Sequence, residues 1–168
     1  MTTSALPLTE WVVLALLDEA PRHGFAVARE LAPEAPLGRV WTVSRPLTYR
    51  AVDQLLAKGM AKAAHSEPSD EGGPNRTIMR PTAAGRRAVR KWRVAPVEHL
   101  REMRSAFLVK LLLLERAGAD RRPLVDAQLK AFGPRFESVA HTRRPKDPVA
   151  RWRYESTQAT RRFLEALR

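Results

Sequence analysis

Proline and glycine divide the first half of the chain into short segments, and this division constrains the fold more than any other feature. Apolar spacing predicts a first helix over about residues 9–18, capped by Thr9 and closed by Pro21. A second helix is predicted over residues 24–32, where a pair of prolines stops it. A third begins after Ser44 and ends at a lysine–glycine pair, since glycine suits the left-handed position beyond a helix.

Two short strands are predicted after the third helix, over about residues 60–66 and 77–80. The intervening segment 67–76 is rich in glycine, proline and other turn formers, so the strands should form a hairpin with a long tip. Thr82 can then cap a fourth helix, over residues 83–94. This order of elements is that of a winged helix-turn-helix, whose recognition helix enters the DNA major groove and whose hairpin is the wing.

The second half of the chain is predicted to be entirely helical. Its apolar residues recur at helical spacing in three segments, which predict helices over residues 96–117, 124–140 and 148–167. A Gly-Pro pair at 133–134 predicts a kink or break in the middle segment. We therefore predict a mainly α fold with a small β-hairpin wing, divided into a winged helix-turn-helix domain, residues 1–94, and a helical domain, residues 95–168.

The net charge of +12 favours a polyanionic partner, either nucleic acid or an acidic membrane surface. This charge is unevenly distributed. Residues 1–75 carry a net −2, residues 76–93 carry 7 basic and no acidic side chains, and residues 96–168 carry a net +7. The basic excess begins at Arg76, so the predicted wing and the helix after it form the edge that would attract a duplex.

Several classes of protein are excluded by what the sequence lacks. There is no cysteine, which excludes thiol catalysis, disulfides and zinc–cysteine sites. The four histidines have no metal-ligand spacing, and no glycine-rich phosphate loop is present. We therefore predict no enzyme activity, no catalytic residue, no metal and no cofactor. No apolar run is long enough to span a membrane and the first residues lack a basic leader, so a cytoplasmic protein without a membrane partner is expected.

The start of the third helix holds the first group of candidate DNA contacts. Its apolar stripe runs to Leu55 and Leu56, and this face should lie in the core. Polar residues near the N-terminal end then point outward, where recognition helices touch base edges. Arginine can bind guanine through two hydrogen bonds, and hydroxyl groups can bind bases or phosphates. The candidates on this helix are Ser44, Arg45, Thr48, Tyr49 and Arg50.

The wing holds the second group. Gly72 and Gly73 allow close approach of the backbone to a surface, and Asn75 and Arg76 follow soon after. Their side chains could reach phosphate or the minor groove. For both groups the alternative is an ordinary solvated surface, which Asp70 beside the tip favours for the distal part of the wing.

Three segments of the sequence carry a family resemblance: Pro21-Arg-His-Gly-Phe25, Leu47-Thr-Tyr-Arg-Ala51 with Leu55 and Gly59, and Glu71-Gly-Gly-Pro-Asn-Arg76 with Arg80, Thr82 and Gly85. Together they resemble the PadR family of bacterial transcriptional regulators, and the helical second half resembles the family's longer C-terminal extension. The family usually has tyrosine where Phe25 stands, proline where Arg50 stands, an aromatic residue where Met79 stands and leucine where Pro81 stands.

The resemblance implies a sequence-specific transcriptional repressor that binds double-stranded operator DNA as a homodimer. The domain over residues 95–168 would then be the dimerisation and effector domain. In some members of the family an aromatic or phenolic small molecule relieves repression, and Trp92 and Trp152 are our candidates for such an effector site. Helical spacing also allows both tryptophans to be core or interface residues. Two other functions stay open, a winged-helix protein-interaction module without DNA binding and a protein that binds membrane surfaces.

Overall fold

A computed structural model describes residues 6–68, 75–140 and 145–168. These residues form seven α-helices, one 3₁₀ helix and one two-stranded antiparallel sheet, which confirms the predicted mainly α fold with a small hairpin. The chain divides into two compact units, Met1–Trp92 and Arg93–Arg168. The elements in chain order are α1 (Leu8–Glu19), α2 (Gly24–Glu30), α3 (Arg45–Ala57), β1 (Ala61–Glu67), β2 (Arg76–Pro81), α4 (Ala83–Val94), the 3₁₀ helix (Leu100–Arg104), α5 (Ala106–Arg116), α6 (Arg122–Ala140) and α7 (Pro148–Ala166).

Helix α1 is the central element of the first unit, because residues 12–17 leave it almost no polar face. All six of these side chains are inaccessible to solvent or nearly so, and α1 contacts α2, α3 and β2. Val27 of α2 and Leu55 of α3 are also fully buried against it. Burial of this apolar surface stabilises the packing of the three helices, with a free energy of about 25 cal/mol for each Å² removed from water.

The start of α1 differs from the prediction that Thr9 caps it. The helix begins at Leu8, directly after Pro7, so Thr9 lies inside the first turn. Its Oγ1 accepts a hydrogen bond from Nε1 of Trp41 at 3.1 Å. Proline is well suited to a helix start because its φ is already helical and its missing N–H is not needed there. Thr9 instead holds the loop between α2 and α3.

Helix α3 is tied to its neighbours at its C-terminal end. Gly59 follows it with φ of 64°, the left-handed conformation predicted for that position. Nζ of Lys58 lies 2.6 Å from Oε2 of Glu10 on α1. Oγ1 of Thr82 donates to the carbonyl of Gly59 and accepts from the N–H of Gly85, so the predicted cap of α4 also holds the end of α3.

The wing is attached to the body of the first unit through β2. Ile78 and Met79 are buried, whereas most of β1 is exposed. The backbones of Met79 and Arg22 exchange two hydrogen bonds of 3.1 Å, which fixes the hairpin to the turn before α2. The predicted tip, with Gly72 and Gly73, lies outside the described residues.

The second unit has a core of its own, in which side chains of α5, α6 and α7 meet. Phe107, Phe132 and Leu164 are all at most 2% exposed within this cluster. Gln128 is completely buried, and its side chain forms two hydrogen bonds with the backbone of Val97. Its Oε1 accepts from Val97 N at 2.7 Å, and its Nε2 donates to Val97 O at 3.0 Å. The segment before α5 is thereby held on α6.

Two features of this unit differ from the prediction. Residues 96–117 do not form one helix, because the 3₁₀ helix ends at Arg104 and the next residue, Ser105, has a φ of −128°, which is not helical. Helix α6 is continuous through Pro134, so of the predicted kink or break the break does not occur. Pro134 and Lys130, whose carbonyl would be its hydrogen-bond partner, are both exposed. Water can therefore satisfy the freed carbonyl, and the helix continues.

Lys110 of α5 is a charged residue inside this unit. It is 3% exposed, and its Nζ donates to the carbonyl of Ala95 at 2.8 Å. Burial lowers the pKa of Lys110 from 10.5 to about 8, although the nearby negative charge of Glu102 acts in the opposite direction.

Candidate nucleic-acid interface

The N-terminal end of α3 is exposed, and the candidate residues can be placed around it. Arg45, Tyr49 and Arg50 all lie on the solvent side, as the apolar stripe predicted. Ser44 precedes the helix and is exposed, and its side chain does not cap α3. Pro46 in the first turn removes an N–H that has no partner within the helix. This end of α3 therefore presents a hydroxyl, a phenol and two guanidinium groups to solvent.

Thr48 does not belong to this exposed group. Its side chain is fully buried, and its Oγ1 donates to the carbonyl of Ser44 at 3.1 Å. Thr48 lies three residues before Ala51 and four before Val52, so it continues the buried face of the helix. Its methyl group meets the core while its hydroxyl is satisfied within the helix. The prediction that it points outward with Arg45 is wrong.

Leu56, at the C-terminal end of the predicted apolar stripe of α3, also differs from the prediction that it is buried. Its side chain is 38% exposed, whereas Leu55 is fully buried. Leu56 lies about 100° around the helix from Leu55, at the edge of the buried face, so part of its side chain remains in solvent. The buried face of α3 is therefore narrower than the apolar residues suggested.

Tyr49 is held by the first residue of α2. A Cβ atom added to Gly24 would lie 2.6 Å from Cε1 of Tyr49, so the phenol ring packs directly on the glycine backbone. Gly24 is buried by this contact. The absence of a side chain at this position thus allows the start of α2 to pack against the exposed face of α3.

Phe25 is the residue of this surface that was not among the predicted contacts. Its apolar side chain and helical spacing with Ala28 predict a core position, but it is 36% exposed, whereas Val27 is fully buried. The two residues are about 200° apart on a helix, which is the signal that could have separated them. Cζ of Arg45 lies over the Phe25 ring, 4.9 Å from its centroid.

A shallow apolar groove lies beside this pair, between α2 and the start of α3. Its volume is about 390 Å³, and Ala28, Pro33 and Val43 contribute to its lining. Phe25 and Arg45 also line the groove. The exposed end of α3 is therefore bordered by an apolar surface that belongs to α2.

The two wing candidates lie at the start of β2. Asn75 is exposed and precedes the strand. Arg76 is its first residue, is partly buried, and lies opposite Glu67 of β1. Beyond them, the basic side chains of Arg80, Arg87 and Arg90 are exposed on β2 and α4.

The two effector candidates have different surroundings. Trp92 is partly buried in the first unit, where its ring stacks on Trp11. Trp152 of α7 lies in the second unit and is 73% exposed, so the interpretation of Trp152 as a core residue is wrong. Among the described residues, no cluster of three or more histidine or acidic side chains could hold a metal ion. None of the helices in the described ranges is both long and apolar enough to cross a bilayer.

A buried three-helix core, a hairpin fixed at its base and an exposed helix start define a winged helix-turn-helix protein. Residues 13–91 match the family model described as the transcriptional regulator PadR-like family. This match confirms the resemblance to the PadR family of transcriptional regulators found in the sequence, over the winged-helix part of the chain.

One solved structure shares this fold over nearly the whole chain. The chain is similar to the crystal structure of Bacillus subtilis PadR in complex with operator DNA, with a TM-score of 0.51 and 14% identity, over 96% of this chain and 97% of that chain. It also matches Bacillus subtilis PadR in complex with p-coumaric acid, with a TM-score of 0.45 and 14% identity, over 96% of each chain. No curated protein matches the chain.

Proposed function

We propose that the protein is a homodimeric repressor that binds operator DNA with α3 in the major groove. The observation that carries this proposal is the exposed group of Arg45, Tyr49 and Arg50 at the N-terminal end of α3, on a winged helix. Recognition helices touch base edges with this end, and a guanidinium group can donate two hydrogen bonds to guanine O6 and N7. Ser44, at the same end, is proposed as a base or phosphate contact.

The wing and α4 are proposed to contact or attract the flanking backbone. Asn75 is exposed directly before β2, on the side of the hairpin tip, and Arg76 begins the basic segment 76–93. The charge of residues 1–75 is −2, so α3 contributes little long-range attraction. Phosphate neutralisation by the basic segment would supply affinity that falls steeply with salt, while the few residues of α3 would supply specificity.

The second unit is proposed to form the dimer through α7. Val149, Trp152 and Phe163 are 59%, 73% and 39% exposed. With Ser156 and Ala159 they follow one another at alternating spacings of three and four residues, which is the spacing of a helix–helix seam. We name these five residues the α7 seam. Leu164, on another side of the helix, is buried in the core of the unit, and the Phe163 ring also meets that core edge-on, 6.5 Å from the ring of Phe107. Val149 and Trp152 remain mostly exposed, and a second copy of the chain is the proposed occupant of the seam.

An aromatic effector is proposed to bind at a tryptophan, and Trp152 is the better candidate of the two. Flat aromatic molecules stack on indole rings. The Trp92 ring already stacks on Trp11, whereas Trp152 exposes most of its surface. A ligand at Trp152 would lie on the α7 seam and could change the dimer directly.

The function can be tested by electrophoretic mobility shift with the DNA upstream of the gene, at several salt concentrations. We expect a specific shift that survives excess competitor DNA and weakens as salt rises. The control variant Arg101→Ala, which removes one exposed charge from the second unit, should bind like the wild type. A transcription assay on the same template then distinguishes a repressor from an activator. Absence of a specific shift at every salt concentration would favour the protein-interaction module instead.

A further inference from the structure

We infer that Phe25 of α2 is a positioning residue that orients the Arg45 guanidinium for base recognition. The inference rests on the proposed function, because it concerns how α3 would recognise a base. The two side chains come from different helices and meet at the surface, where Cζ of Arg45 lies 4.9 Å from the centroid of the Phe25 ring. This distance is within the range of a cation–π interaction, which extends to about 6 Å.

The geometry leaves the recognition atoms of Arg45 available. When a guanidinium group stacks on a ring, the ring covers one face and the N–H donors, which lie in the guanidinium plane, stay accessible. Among the described residues, none accepts a hydrogen bond from Arg45 or forms an ion pair with it, although both Arg22 and Lys58 in the same unit are paired. The contact with Phe25 therefore restrains Arg45 without using the donors that guanine needs.

The residues on either side of Phe25 in the chain are fixed at the start of α2. The His23 ring is nearly parallel to the Phe25 ring, with 6.2 Å between centroids and 11° between planes. Nδ1 of His23 accepts a hydrogen bond from Ala26 N at 3.1 Å, which fixes the imidazole as the cap of α2. The backbone of Gly24, directly before Phe25, packs against the Tyr49 ring. The start of α2 is thus a fixed platform beside the start of α3.

This platform has a direct consequence for binding. A free arginine side chain loses much rotamer freedom when it is fixed on a base edge. Side chains that are already oriented lose less, and the gain appears as affinity and as discrimination between bases. The Phe25 side chain is 36% exposed, at a position where a polar residue would be better solvated. Its contact with Arg45 explains why an aromatic ring is placed at this exposed position.

The test is a selection of binding sites from a pool of random DNA duplexes, carried out with the full-length wild type and with variants. Arg45→Ala should lose the preference for guanine at one base position. Phe25→Leu, which keeps an apolar side chain without the ring, should weaken the preference at that same position and lower affinity roughly two- to fivefold. Phe25→Tyr keeps the ring and should restore the wild-type preference.

A matched control is available in the second unit, where Cζ of Arg135 lies 5.5 Å from the centroid of the Phe132 ring. Arg135→Ala removes a comparable arginine–phenylalanine contact and should leave the selected sequence unchanged. A double-mutant cycle gives a second readout, because Phe25→Leu should have little further effect on affinity in the Arg45→Ala background.

The outcomes separate this inference from the proposed function. If the wild type selects no sequence, the proposed function fails and this inference falls with it. If the wild type selects a sequence but Phe25→Leu keeps the full preference, or weakens all positions equally, only the role of Phe25 is overturned. The role of Phe25 is also overturned if Phe25→Leu lowers affinity by the same factor in the wild type and in the Arg45→Ala background. It is overturned as well if Arg45→Ala leaves the base preference unchanged at every position.

Discussion

The indole rings of Trp11 and Trp92 lie parallel to each other, with 5.3 Å between centroids and 6° between planes. Trp11 belongs to α1, the central helix of the first unit, and Trp92 lies near the end of α4. Both residues are partly buried. Because α4 follows the wing, this stack fixes the last part of the winged-helix unit to its core.

Loss of either ring should therefore destabilise the protein. We expect Trp92→Ala to lower the free energy of unfolding by about 1–3 kcal/mol, less than for a fully buried tryptophan. A double-mutant cycle with Trp11→Ala should give a coupling of about 0.5–1.5 kcal/mol for the stacked pair. Urea denaturation followed by circular dichroism measures both quantities. Leu47→Ala is the control, since that side chain on α3 is 54% exposed, and an equal loss there would contradict the role of the stack.

The two arginines of α3 give the second prediction. Arg45→Ala and Arg50→Ala should each weaken binding to the selected operator by about 1–3 kcal/mol if they contact bases, and leave the oligomeric state unchanged. Fluorescence anisotropy with labelled operator, together with sedimentation velocity, measures the two properties. If both variants bind like the wild type, α3 is not the recognition helix.

Thr48 supplies the contrasting variant on the same helix. Its hydroxyl bonds the Ser44 carbonyl and its side chain is buried, so it cannot reach a base in this conformation. Thr48→Val keeps the shape and should lower the free energy of unfolding by roughly 0.5–1.5 kcal/mol, with operator affinity changed little. If Thr48→Val lowers operator affinity without lowering the free energy of unfolding, Thr48 would be a DNA contact after all.

The sequence predicted the elements well because their ends are local events. Proline and glycine stop these helices within two or three residues of where they stand, and Thr82 caps α4 through its own side chain. Thr48 was misplaced because a binary division into apolar and polar residues treats threonine as polar. In a helix its hydroxyl can bond the carbonyl four residues earlier, so its methyl side can face a core.

The surface around Arg45 could not be derived in the same way. Its contact with Phe25 depends on how α2 packs on α3, twenty residues apart in the sequence. The packing itself depends on the absence of a side chain at Gly24, where Tyr49 lies. Helical spacing describes one element at a time, so it identified Arg45 as exposed but not what holds it.

The α7 seam gives a prediction for assembly. Trp152→Glu places a charge among the exposed apolar residues of the seam and should convert the proposed dimer to a monomer, because an interface buries charge only at a large cost. Arg161→Glu makes the same replacement on another exposed side of α7 and should leave the dimer intact. Sedimentation equilibrium distinguishes the two states. A dimer that survives Trp152→Glu would place the interface elsewhere.

Lys110 makes the stability of the second unit depend on pH in the alkaline range. The pKa of Lys110 is lowered from 10.5 to about 8 by burial, so below about pH 8 the folded protein holds a poorly solvated ammonium group. Between pH 8 and 10.5 the folded state releases this proton while the unfolded state keeps it, so stability rises with pH across that interval. Lys110→Met has a similar volume and no titrating group.

We therefore expect the free energy of unfolding of the wild type to increase from pH 8 to 10.5, relative to that of Lys110→Met. Since one pKa unit corresponds to 1.36 kcal/mol, the increase should be at most about 3 kcal/mol. Urea denaturation of both proteins at several values of pH measures this difference, in which other titrating groups cancel. The Nζ of Lys110 still donates to the Ala95 carbonyl when it is neutral, so the hydrogen bond of 2.8 Å persists through the transition. A difference that stays constant, or that decreases with rising pH, would show that the ammonium group is well solvated in the folded protein.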